Sequence, residues 1–457
     1  MTEIKFRILT LRFQILLCAA LAVVCASTHA QTARARQSSP KTTRGSAEPN
    51  GAGQGEGAAA LLVRAVGLLQ SGRGKEAEPL VRRALSIEPR NADAHSLLGV
   101  ILDQRGLLRE AESEYRAAIV LRPKAVAARA NLGALLARAG RYAEAVETLR
   151  ALLADAPGHP QATFNLGVAL YHVGQYEEAA SLLQTSEAMS RNAPEAYYYL
   201  GLISSARGRA EEAAEAWQRA LALRENFPEV NFALGEELRK QRRYEGAAEF
   251  YSKAVAEDSS RLVYQVRLGG VLMLLGAYDR AVEVFRAAAA RFPDSAEVQY
   301  FTGIAARGRG DYETAEAALR ASLRLKADSV DALAQLGFVV GERGREAEAE
   351  AILRRAVTLD ARHFYASYDL GRLLVRDRRY DEAVAVLKSA ARIRDADAGV
   401  HYQLFIAYTR TGKKEEAERE LALFKRLDEE RKARRASGGE EQIEDTLPAP
   451  PSGEGNP

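Results

Sequence analysis

The sequence predicts an all-α protein made of stacked helical hairpins, and three observations predict it. First, the chain matches itself when slid by 34 residues. NLG at 131–133 falls on NLG at 165–167, then on YLG (199–201), ALG (233–235), RLG (267–269), FTG (301–303), QLG (335–337) and DLG (369–371). Second, some places in the unit are fixed: place 20 is alanine in all eleven units, from Ala77 to Ala417. Third, apolar residues fall in two stripes per unit at helical spacing, at places 4, 7, 8 and 11 and again at 20, 24 and 27. A fixed period of this length marks one supersecondary unit repeated along the chain.

The first thirty residues read as targeting. Lys5, Arg7 and Arg12 form a basic start, FQILLCAALAVV (13–24) has the length of an h-region, and STHA (27–30) offers small residues before a cut. A membrane span needs roughly 20 apolar residues, so cleaved export is expected, with an uncleaved inner-membrane anchor over 8–24 as the alternative. The two cysteines, Cys18 and Cys25, lie in this segment, which leaves the mature chain without a thiol. Residues 31–57 lack an apolar period and are rich in Ser, Thr, Gly and Pro, as a linker is. The glycines of GAGQGEG (51–57) follow no strand and so make no dinucleotide loop.

The array spans 58–431 without insertion, as eleven units beginning at Ala58, Ala92, Val126, Pro160, Pro194, Pro228, Leu262, Ala296, Val330, Phe364 and Ala398. Within a unit, two helices of about a dozen residues meet near place 15, which is glycine in nine units and arginine at Arg242 and Arg378. Gly174 stands at that joint, where a left-handed residue ends a helix at little steric cost. Gly167, at place 8 on the first helix's stripe, is expected to let the axes approach against the place-20 alanine, Ala179. Glutamate at place 19 in eight units suits the dipole of the second helix, and proline at place 32 in four units blocks its continuation. Residues 432–457 read as a disordered tail, and the RKARR run (431–435) as a solvated helix end.

Composition excludes little beyond this. The chain has 457 residues, 27% of them charged, with a net charge of only +3, which does not point to nucleic acid or to an anionic membrane. Leader, linker, repeats and tail account for every residue, so no catalytic region is expected. No zinc-like pairing of histidines and no nucleophile motif appears. His95 and His401 share place 4, His159 and His363 stand at unit junctions, and His172 ends a first helix. No metal and no cofactor are expected.

LG at 7–8, alanine at 20 and 27, an aromatic or aliphatic residue at 24 and proline at 32 together resemble the tetratricopeptide repeat. The resemblance covers the whole array. It implies a right-handed superhelix, an α-solenoid, whose first helices line a concave groove through places 2, 5, 9 and 12. The end units depart from the rule, with Ala65 and Phe405 at place 8, as solvent-facing terminal repeats can.

Function is then expected on that surface. Place 5 is aromatic in six units, Phe164, Tyr198, Phe232, Tyr300, Tyr368 and Tyr402. Acids on this face (Asp93, Asp103, Glu195, Glu229, Glu236) come early, and the arginines Arg239, Arg307, Arg372, Arg376 and Arg410 come late. Tyrosine with arginine is the chemistry of binding hot spots. The expected role is a non-catalytic scaffold, periplasmic or secreted, whose groove holds a protein or an extended peptide segment. The alternative is an anionic polysaccharide in export or secretion; nucleic acid is disfavoured, and membrane enters only through an uncleaved leader. No place-5 lysine or place-9 asparagine supports the acidic-tail clamp of some family members. Asn131 and Asn165 at place 6 resemble an asparagine ladder in two units of eleven.

Overall fold

The computed structural model describes residues 56–189 and 193–436; the leader, nearly all of the linker and the tail beyond Ala436 lie outside them. Among the described residues there are 22 helices and no strand. Repeats 1–3 are α1 (Ala58–Gln70) with α2 (Gly74–Ile87), α3 (Ala92–Gln104) with α4 (Leu108–Leu121), and α5 (Val126–Arg138) with α6 (Tyr142–Asp155). Repeats 4 and 5 are α7 (Pro160–His172) with α8 (Tyr176–Met189), and α9 (Ala193–Ala206) with α10 (Ala210–Leu223). Repeats 6–8 are α11 (Pro228–Lys240) with α12 (Tyr244–Glu257), α13 (Leu262–Leu274) with α14 (Tyr278–Arg291), and α15 (Ala296–Gly308) with α16 (Tyr312–Leu325). Repeats 9–11 are α17 (Val330–Glu342) with α18 (Glu346–Leu359), α19 (Phe364–Arg376) with α20 (Tyr380–Ile393), and α21 (Ala398–Arg410) with α22 (Lys414–Ala436).

Every first helix but one begins where the 34-residue frame begins; α9 starts at Ala193, one residue ahead of Pro194. Local chemistry sets these starts. Asn91, Ser295, Ser329 and Asp397 accept a backbone N–H of the first turn, and Pro160 and Pro228 fill first-turn positions that need no donor. The junction histidines have the same task. Nδ1 of His159 accepts from Ala162 N–H and Nδ1 of His363 from Ala366 N–H, both at 3.1 Å. The last helix runs to Ala436, past the array boundary at 431.

The chain forms two compact units, with repeats 1–5 in the first and repeats 6–11 in the second, divided after Glu225. In each unit, hairpins pack on hairpins and several neighbouring first helices touch directly, as α5 touches α7 and α17 touches α19. The place-20 alanines are fully buried in the first ten repeats, and Ala417 nearly so. Most helical stability in a protein comes from such packing.

The place-8 glycine faces place 24 rather than the alanine at place 20. A Cβ on Gly167 would sit 2.8 Å from Leu183 Cγ, with the Ala179 carbonyl oxygen further off at 3.4 Å. Long helical side chains lean back toward their own N-terminus, which carries place 24 over the glycine. At the turn, Gly174 has φ +78°. Its N–H bonds the Tyr171 carbonyl at 3.0 Å and the Gln175 N–H bonds that of Leu170 at 2.9 Å, a Schellman closure. Arg242 and Arg378 take the same left-handed conformation, at φ +57° and +63°.

Candidate docking face of the first helices

The place-5 aromatics do not form one open row. Tyr198 is 4% exposed and Phe232 9%, so both are corrected to packing side chains. Phe232 lies 5.6 Å from the Tyr251 ring and 4.9 Å from that of Tyr264, which the following hairpin supplies. The Tyr198 ring lies 5.2 Å from Tyr199, and the Tyr198 carbonyl accepts the Trp217 indole N–H at 3.1 Å. A place-5 ring at these positions is covered by its neighbours. Phe164, Tyr300 and Tyr368 are half-buried. Phe164 sits edge-on to Tyr199, and Tyr368 stacks on Phe364 with rings 5.8 Å apart. Tyr402, 42% exposed, is open, with Phe424 at 5.1 Å.

The charges of this face are largely neutralised by one another. Among the acids, Asp93 pairs with Arg122, Asp103 with Arg138, Glu195 with Arg224 and Glu229 with Arg261. Glu236 gathers Arg267, Arg239 and the Tyr251 hydroxyl. Burial, with Glu236 alongside, pushes the Tyr251 phenol far above the usual range. Arg307 donates to Gln335 Oε1 at 2.5 Å, and Arg372 donates to Glu342 Oε1 at 3.0 Å. Arg376 Nε lies 2.9 Å from Glu346, while its Nη2 donates to the Gly341 carbonyl at 3.2 Å. The acid-to-base trend read along the sequence is therefore not a gradient of free charge.

Two places on the face differ from the rest. In repeats 3–5 a group of rings closes it. His172 stacks on Tyr142 at 4.0 Å and 11°, Tyr171 stands edge-on to His172 and Tyr199, and Tyr199 reaches Phe164. Burial lowers the His172 pKa and raises that of Tyr171.

In repeats 9 and 10 the face is hollow. A cavity of about 240 Å³ opens between α17 and α19, floored by Gly337, Gly341, Ala349 and Leu353 and walled by Phe338, Asp369, Arg372 and Arg376. Leu373 and Val375 of α19, Gln403 of α21 and Glu342 complete the lining. The Arg307 and Arg372 guanidiniums lie 4.8 and 4.9 Å from the Phe338 ring centroid. Asp369 is only 8% exposed, and its nearest cation is Arg372 Nε at 3.7 Å, beyond hydrogen-bond range. Burial pushes the Asp369 carboxyl up to about 6, against the pull of Arg372 and Arg307.

Arg372 and Arg376, named from the sequence, thus line this cavity, and Arg307 lies against its Phe338 wall. Phe338, Gly341, Asp369 and Gln403 were not among the candidate residues. A signal for them existed: place 6 is polar in three successive repeats, Gln335, Asp369 and Gln403, and place 12 is glycine only at Gly341. Among the described residues no cluster of His, Cys, Asp and Glu could hold a metal ion, and no helix is long and apolar enough to cross a membrane.

Comparison with known families agrees with the repeat. Tetratricopeptide repeat models match residues 62–126, 102–160, 136–203 and 194–227, and the model of the Cilia and flagella-associated protein 70 C-terminal domain, also of tetratricopeptide type, matches 224–442. The chain belongs to the tetratricopeptide repeat family. Among solved tetratricopeptide structures it is similar to yeast Tom70, at 15% identity over 78% of this chain and 96% of that one, with a TM-score of 0.36. It is similar to the C-terminal part of a repeat protein from Cytophaga hutchinsonii, at 16% identity over 53% of this chain and 99% of that one, TM-score 0.46. It is also similar to YrrB, described as having an unusual peptide-binding site, at 21% identity over 41% of this chain and 97% of that one, TM-score 0.35. No curated protein matches the sequence.

Proposed function

We propose that this tetratricopeptide repeat protein is a non-catalytic scaffold that holds an extended segment of a partner protein against its first helices. The cavity between α17 and α19 carries the reading. It places a buried carboxylate with no hydrogen bond, two partly exposed guanidiniums and bare glycine backbone on the face that the family uses for docking. The leader-like residues 1–30 support a setting in the cell envelope. Anionic polysaccharide is the weaker reading, because Arg239, Arg307, Arg372 and Arg376 already have partners and form no row of free cations.

A photo-crosslinking residue placed at Gln403, beside the cavity, tests this in intact cells, with Val120 on an exposed outer position as control. A discrete protein adduct from position 403 and none from position 120 is the expected result. Equal labelling from both positions, or none from either, would sink the scaffold reading.

A further inference from the structure

The molecule contains an internal template for what this cavity lacks. In repeat 6 a tyrosine ring lies on the place-8 glycine: a Cβ on Gly235 would fall 2.6 Å from Tyr251 Cε1. The Tyr251 hydroxyl donates to Glu236 Oε1 at 2.5 Å, and Arg267 Nε and Arg239 Nη2 flank the same carboxylate at 2.9 and 3.2 Å. Phenol, carboxylate, two guanidiniums and a glycine floor therefore make one group, in which the phenol is hydrogen-bonded to the carboxylate while Arg239 Nε and Arg267 Nε have no hydrogen-bond partner.

Repeats 9 and 10 hold the same components without the phenol. Place 24 of repeat 9 is Leu353, which covers Gly337 and stops there. Gly341 stands where repeats 4, 6, 7 and 8 carry Tyr171, Arg239, Met273 and Arg307. A Cβ on Gly341 would meet only Ala349 Cβ at 3.5 Å and Arg376 Nη2 at 3.7 Å, so the floor is open. Asp369 waits buried at the wall with Arg372 and Arg376 beside it.

We propose that this cavity receives a tyrosine side chain from the partner segment, its ring over Gly341 and its hydroxyl donating to Asp369. The proposal rests on the scaffold reading and deepens it. Charge selects the occupant. An entering carboxylate would meet Asp369 and Glu342, and an entering ammonium or guanidinium, although drawn to Asp369, would lie beside Arg372 and Arg376. A neutral ring meets neither repulsion and is attracted by guanidinium faces. Phenylalanine would fill the space but leave Asp369 buried without a donor, the costly state for a polar group.

The test uses the full chain and four seven-residue peptide libraries, random except for a central Tyr, Phe, Leu or Lys, with binding followed by fluorescence anisotropy. The Tyr library is expected to bind at least about tenfold tighter than the Phe library, the worth of a hydrogen bond to a charged acceptor. Gly341→Leu fills the cavity and Asp369→Leu removes the acceptor. Each is expected to bring the Tyr-to-Phe ratio to about one, with circular-dichroism melts showing both variants folded. Should one variant fail to fold, the other decides. Peptide binding by the wild type with no Tyr preference, or a preference that survives in both variants, overturns the tyrosine assignment and leaves the scaffold standing. Absence of binding by every library overturns both.

Discussion

Repeats 3–5 and repeats 9–10 present the same helix places and finish them in opposite ways. In the first region Tyr142, Tyr171, His172 and Tyr199 pack ring on ring, and the face is closed by the chain's own side chains. In the second, Gly341 and Leu353 leave volume unfilled, and a carboxylate, Asp369, is buried at its edge. The difference teaches where to look for a docking point in a repeat protein. A ring at a groove place is spoken for when the next hairpin lies over it, whereas a missing side chain beside a carboxylate that no protein group bonds invites something from outside.

The same substitution made at both kinds of glycine should have opposite effects. A Cβ at Gly201 would collide with the Trp217 indole, while at Gly341 it would find ordinary contact. Gly201→Leu is expected to cost about 3 kcal/mol by overpacking, and Gly341→Leu to gain up to about 1 kcal/mol from helix propensity. Equal shifts in urea melts would erase the distinction between closed and open faces.

A smaller effect should come from Asp369. The groups acting on it are Arg372, Arg307 and His363, which lower its pKa, and Glu342, which with burial raises it. With the folded carboxyl near 6 and the free value near 3.8, the folded chain binds the extra proton between those limits, and stability falls as pH rises through them. Asp369→Asn should therefore stabilise by about 2 kcal/mol at pH 7, an advantage that fades below pH 4. Melts of the two proteins at pH 7 and pH 4 check it.

The turns offer a third contrast, between glycine and arginine in the same left-handed closure. Arg242→Gly and Arg378→Gly are each expected to add about 0.5–1 kcal/mol, read from chemical denaturation. No gain would mean that the exposed guanidiniums hold contacts that offset the strain.

The smallest effect concerns acid in the closed region. Burial lowers the His172 pKa below its ordinary 6.5. The unfolded chain then takes up the proton first, and the stability contributed here falls as pH drops below about 6.5, opposite in sign to Asp369. His172→Phe should flatten that part of the stability-versus-pH curve; an unchanged slope would show that His172 is not its source.

Much of the fold was legible because it is periodic. The helix starts, the joint at Gly174 and the buried alanine at place 20 each recur often enough for spacing alone to find them. Place 5 misled at Tyr198 and Phe232, because whether a ring is covered depends on what the neighbouring residues bring, here Tyr199 and Tyr264. The cavity escaped because it is made of absences, Gly341 on one helix and a short Leu353 on the next. A search for conspicuous side chains passes over both. The capping histidines were visible at the junctions, but their role needed the backbone N–H groups of the following turn.

Arg378 shows how forgiving this architecture is toward genetic drift. Its hairpin is clasped between repeats 9 and 11, so an awkward residue at one corner is absorbed by partners on either side. A loner hairpin with the same blemish would have little to fall back on. Interior corners of the array are therefore where new surface chemistry can be tried at low risk, and the outermost ones, Gly72 and Gly412, are where lineages should stay conservative.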